Sequence, residues 1–93
     1  MIGSTRQVSV FAYAQPVDMR KSFDTLSALV SGGLGRDVLS GDLFLFVSRT
    51  RKRAKVLLWD GTGLCVYAKR LEQGSFTAVW ALPASEAVQL TMS

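Results

Sequence analysis

Ninety-three residues with a net charge of +4, 48% hydrophobic and 19% charged, allow one small domain and exclude a disordered, collagen-like or low-complexity chain. One cysteine rules out an internal disulfide, and the lack of histidine removes the imidazole base of many hydrolytic sites and the commonest metal ligand. No apolar run approaches the ~20 residues of a membrane span. The expectation is therefore a soluble, basic, cytoplasmic domain over residues 1–93, with a thin core, since a chain this short buries only about 60–65% of its unfolded surface.

Val8 to Ala14 reads as a strand that Pro16 ends. Asp18 stands where a helix N-cap belongs, and Met19, Phe23, Leu26 and Val30 follow at helical spacing. Gly32 and Gly33 stop that helix. After a loop, Asp42 to Ser48, Ala54 to Asp60 and Leu64 to Arg70 read as strands. The last two are joined by Asp60-Gly61-Thr62-Gly63, a hairpin turn in which glycine supplies positive φ. Phe76 to Trp80 and Ala87 to Leu90 are weaker strand candidates. The fold expected is α+β: a curled antiparallel meander of about four to six strands with one N-terminal helix packed on it.

Leu43 to Val47 and Val56 to Trp59 are continuously apolar rather than alternating, so both faces of the sheet should be covered. One helix covers one face. The sheet must therefore curl on itself, form a homodimer, or be covered by something this chain lacks.

An up-down-up meander also fixes where the charges go. The loop after the first of the three strands carries Arg49, Arg51, Lys52 and Arg53, with Lys55 just beyond it, and the third strand returns Lys69 and Arg70 to the same end. Seven cations less the single nearby acid, Glu72, give this end +6, and the overall +4 leaves −2 for the remainder. A basic hairpin tip is the chemistry duplex DNA rewards, because each Lys or Arg set on a phosphate releases condensed counterion. Cations at a loop tip also serve simply as solvated charge guarding a sheet edge. Arg20 and Lys21, in the first turn of the expected helix, offer a secondary anion site; the alternative is that Arg20 pairs with Asp24 one turn on.

The remaining chemistry-bearing residues have plainer explanations. Cys65, flanked by Leu64 and Val66, reads as a buried structural thiol. Trp59, Trp80, Phe44, Phe46, Tyr67 and Phe76 could stack bases, but their apolar surroundings make them core, with Tyr13 and Tyr67 the exceptions. Asp18 is accounted for by a cap, Asp42 by a strand edge, Asp60 by the turn and Glu72 by pairing with Lys69 and Arg70. No catalytic constellation, metal site or cofactor motif emerges, and an enzyme is not expected.

Asp18-Met19-Arg20-Lys21-Ser22-Phe23-Asp24 and Lys55-Val56-Leu57-Leu58-Trp59-Asp60-Gly61-Thr62-Gly63-Leu64-Cys65 resemble two hallmark blocks of the accessory proteins (TnpB, the second open reading frame product) of bacterial insertion-sequence family 66. Ser40 to Phe46 and Lys69 to Phe76 are similar to the blocks between and after them. The resemblance implies a non-enzymatic factor for DNA transposition, encoded beside a DDE transposase in the same mobile element. Its partners would be that transposase and DNA, at the element ends or the target, and no membrane. Two departures stand out: Trp80 and Pro83 lie further beyond Phe76 than the family's tryptophan–proline pair, and the family runs on into a helical tail, so this chain reads as truncated.

Overall fold

The structure, a computed structural model, describes residues 8–81. Among them, β1 (Val10–Ala12), β2 (Leu43–Val47), β3 (Arg53–Trp59) and β4 (Leu64–Arg70) form one open sheet in the order β1-β2-β3-β4. From β2 to β4 the sheet is the expected antiparallel meander, with Phe44 opposite Leu57 and Trp59 opposite Leu64. β4 spans the residues that the sequence pattern marks out, and the Asp60 turn closes the hairpin through Asp60 N–H to Gly63 C=O at 3.1 Å.

β1 departs from the antiparallel expectation. It lies parallel to β2, with Phe11 opposite Phe44. The cause is the helix between them: a chain that leaves one strand, crosses a face as a helix and returns must enter the next strand in the same direction. The parallel contact continues beyond the strand itself, with Tyr13 N–H donating to Leu45 C=O at 2.9 Å and Val17 N–H to Val47 C=O at 3.0 Å. Asp42 anchors the other end, one carboxylate oxygen accepting from Ser9 N–H at 3.3 Å and the other from the Ser40 hydroxyl at 2.9 Å.

The helix starts later than the sequence suggests. α1 covers Phe23–Ala28, and its N-cap is Ser22, not Asp18. Asp18 instead accepts the Arg20 backbone N–H at 2.9 Å, closing a short turn of its own. Such side-chain-to-backbone bonds compete with helix, and here the turn takes residues that would otherwise have formed the first helical turn. At the far end the segment runs on through the two glycines expected to stop it, as a π-helical turn over Leu29–Gly33.

Two apolar clusters follow from the pleat. On the helix face, Leu26 and Val30 of the helical segment meet Phe11, Phe44, Phe46 and Leu57, with Val17 sealing one side. Arg36 lies over the outer face of Phe11, 4.0 Å from its centroid. On the opposite face Val47, Ala54 and Val79 are buried, with Phe76, Trp80, Leu45 and Ala12 packed against them. Part of the cover for the second face thus lies within this chain. Phe76 to Trp80 is not a strand: it leads into a 3-10 turn at Val79–Ala81. The Phe76 N–H bonds to Arg51 C=O at 2.8 Å rather than to a strand ladder. Ala87 to Leu90 lies outside the described residues.

Gly33 shows how closely the helix end meets the sheet. A Cβ there would come within 2.6 Å of Tyr13 Cε1, while one at Gly32 would meet nothing within 4 Å. Tyr13 is itself packed on Phe46, with ring centroids 5.9 Å apart, and has little room to swing. Gly33→Ala should therefore destabilise by about 1–2 kcal/mol, overpacking outweighing the ~1 kcal/mol helix gain of alanine. Gly32→Ala should be neutral or stabilising. Urea midpoints of the two variants check this, and combining Gly33→Ala with Tyr13→Ala should cost less than the sum of the two single changes.

Candidate nucleic-acid interface

The β3–β4 register sets Arg53 opposite Arg70 and Ala54 opposite Lys69, bringing the cations of β4 to the β2–β3 loop as expected. Arg49, Arg51, Arg53, Lys69 and Arg70 are all exposed. The β2–β3 loop, which carries Arg49, Arg51 and Lys52, is not a free tip. Leu71 N–H donates to Lys52 C=O at 2.7 Å, Phe76 N–H to Arg51 C=O, and Lys52 Nζ to Gly74 C=O at 2.6 Å. Within the loop, Ser48 N–H reaches Arg53 C=O at 2.9 Å and Arg53 N–H reaches the Ser48 hydroxyl at 3.2 Å. Arg51 sits at φ 61°, the left-handed region. A non-glycine residue there costs on the order of 1 kcal/mol, which the surrounding backbone bonds hold in place.

The seven predicted cations divide into three groups. Lys52 and Lys55 act as struts: Lys55, half-buried, donates its Nζ to Lys21 C=O at 2.7 Å, as Lys52 does to Gly74. Arg49, Arg51, Arg53 and Lys69 have no side-chain hydrogen bond or ion pair among the described residues. Arg70 is partly neutralised, its Nε 3.2 Å from Glu72 Oε2 in an exposed pair that contributes little to stability.

Arg20 and Lys21 belong to the same end, although neither lies in the helix. The Val17–Val47 bond brings residues 16–21 beside the start of the basic loop. Arg20 pairs with Asp18 rather than Asp24, through Nη2 to Oδ2 at 2.6 Å. That side-chain bond, with the Arg20 backbone N–H, holds the Asp18 carboxyl well below the usual carboxylate range and raises the guanidinium. A cleft of about 790 Å³ opens between this turn and Ser48, Arg49 and Thr50. A second, of about 460 Å³, runs between Lys55, Ala68 and Lys69. Met19 and Arg53 line both, so the two clefts share a wall at Arg53. Ser48, Thr50 and Met19 carry no charge signal; the first two arrive with the β2–β3 loop, whereas the place of Met19 follows only from the parallel β1–β2 contact.

The opposite end of the meander is acidic and closed. Asp60 accepts from Thr62 N–H at 2.8 Å, the Thr62 hydroxyl at 2.9 Å and Gly63 N–H at 2.9 Å. Those donors, the Thr62 N–H foremost, lower its pKa from 3.8 to about 2. A depressed carboxylate stabilises the hairpin above its ordinary pKa, and the contribution is lost as pH falls through the lowered value. In an NMR titration, the Thr62 and Gly63 amide shifts should therefore move with a midpoint near 2 instead of 3.8. Cys65 is only half-buried, not a core thiol: it lies on the second face with Sγ 3.5 Å from Asp60 Oδ2. Desolvation, and then the carboxylate, push its pKa up, which suppresses the thiolate.

Fold and charge together define a small α+β protein whose sheet gathers its cations at one end. The chain belongs to the family of IS66 Orf2-like proteins, whose model matches residues 8–93, and is thus an insertion-sequence accessory protein. Uncharacterized protein y4jC of Sinorhizobium fredii (strain NGR234) is 38% identical over 76 residues, 82% of this chain and 65% of that protein. Uncharacterized protein y4hO of the same organism is 36% identical over 93 residues, 100% of this chain and 77% of that protein. The chain thus spans about two thirds to three quarters of the length of these relatives. No solved structure matches it. Among the described residues no helix is long and apolar enough to cross a membrane.

Proposed function

We propose that this protein is a non-enzymatic transposition factor that binds duplex DNA, at the element ends or the target, through its basic end. The observation carrying the reading is the junction at Arg53. One cleft lies between the bound-down loop and the Asp18–Lys21 turn, a second runs along β3 and β4, and Arg53 stands in the wall of both; four exposed cations here have no partner among the described residues. A hydrogen-bonded backbone spares the cost of ordering the loop on meeting phosphate and leaves only side-chain freedom to be lost, which favours affinity. Of the six carboxylates among the described residues, Asp18, Asp37, Asp42, Asp60 and Glu72 are engaged in local hydrogen bonds or ion pairs, and Asp24 stands alone on α1 without a second acid to pair with, which supports a non-enzymatic role.

Fluorescence anisotropy with labelled duplex DNA across a salt series tests the proposal. Contact with ~4–6 phosphates gives a slope of log affinity against log salt of roughly −4 to −5. No binding at low salt would reject it. The rival is a module that docks on the transposase without touching DNA. It draws on the partly open second sheet face, and nuclease-resistant co-purification with the transposase, without DNA affinity, would favour it.

A further inference from the structure

Tyr67 is 67% exposed, the most exposed large hydrophobic side chain among the described residues. It lies on β4 opposite Val56, on the face away from α1, with Cys65 and Lys69 two residues to either side on the same face. Val79, Phe76 and Trp80 cover the Val47–Ala54 part of that face, and their cover stops short of Tyr67. Tyr67 has no hydrogen-bond partner among the described residues. Neither has Lys69, which sits opposite Ala54 and is continuous with the basic end. The result is an open aromatic ring beside an unneutralised ammonium on the edge strand β4.

We propose that Tyr67 and Lys69 form a subsite for single-stranded DNA, in which an unpaired base stacks on the Tyr67 ring and a neighbouring phosphate meets Lys69. The inference rests on the DNA-binding reading above and deepens it. A duplex hides the faces of its bases in the stack and offers an isolated ring nothing to stack on, whereas a single strand presents both base face and phosphate within one nucleotide. Stacking is indifferent to sequence, since every base has a π-face. Charge complementarity selects a polyanion for this strand: Lys69 shares the face of Tyr67, and the next residue, Arg70, with Arg53 across from it, adds positive charge at the same strand end from the other face.

The test uses the full chain with labelled oligothymidylate and, separately, a matched duplex. Tyr67→Ala should weaken single-strand binding about tenfold, or about 1.4 kcal/mol, with duplex affinity within about twofold of the parent. Tyr67→Phe should keep the single-strand affinity, because the ring and not the hydroxyl is required. Lys69→Ala should reduce the magnitude of the single-strand salt slope by about 0.7. Unchanged single-strand affinity in Tyr67→Ala overturns the subsite. So does a shift in oligomeric state, or loss of transposase capture, with single-strand binding intact; either would assign the face to a protein partner. If the parent binds duplex but not oligothymidylate, the subsite alone falls. Binding to neither removes the DNA-binding reading as well.

Discussion

Replacing Arg49, Arg51 and Arg53 together by glutamate is expected to lower duplex affinity by at least about a hundredfold while leaving the fold intact. Three charge-assisted contacts at about 1–1.5 kcal/mol each already exceed a factor of a hundred, and reversal adds repulsion. All three side chains are exposed, so a near-native melting temperature is expected. Single substitutions separate contacts from struts. Arg53→Ala should reduce the salt slope by about one, because one phosphate contact goes. Lys52→Ala should leave the slope nearly unchanged and instead loosen the loop, since the Lys52 ammonium holds the Gly74 carbonyl. Faster amide exchange at Phe76, whose N–H bonds to the same loop, would report that loosening. Equal affinity for the triple variant and the parent would end the basic-end assignment.

Much of this end was legible in the sequence. Three apolar runs with a glycine turn between the last two dictate a meander, and a meander returns Lys69 and Arg70 to the loop that carries Arg49 to Arg53. What escaped was the direction of β1. Strand, helix and strand in succession is itself the signal for a parallel pair. Had β1 been read that way, the segment after it, with Asp18, Arg20 and Lys21, would have fallen beside Val47 and the basic loop. The helix cap was misplaced for a local reason: Asp18 is as good at closing a turn onto Arg20 as at capping a helix, and the sequence does not rank the two. The division between struts and contacts was out of reach. Lys52 and Lys55 look like their neighbours until Gly74 and Lys21 are brought across from distant parts of the chain.

The continuous apolar runs were read correctly as a demand for cover on both faces, and the supply is uneven. α1 and its π-helical extension seal the first face, while Phe76, Val79 and Trp80 reach only part of the second. That imbalance loads most of the stability onto one cluster and makes its centre the most sensitive position in the protein. Phe44 is fully buried; it stacks on Phe11 at a centroid distance of 6.0 Å and lies opposite Leu57 in the ladder. Phe44→Ala should therefore cost about 3–5 kcal/mol, from lost transfer free energy plus the cavity left behind. A domain of this size has a total stability of about 5–14 kcal/mol. The variant should consequently melt on the order of 15–40 °C lower, or fail to fold at all. Phe44→Leu keeps most of the volume and should lose no more than about 1–2 kcal/mol, fixing the scale when the alanine variant cannot be purified. Calorimetric melting of both, with duplex binding measured well below each transition, separates stability from function. Phe44→Leu should bind as the parent does, because Phe44 supports the loop only through β2.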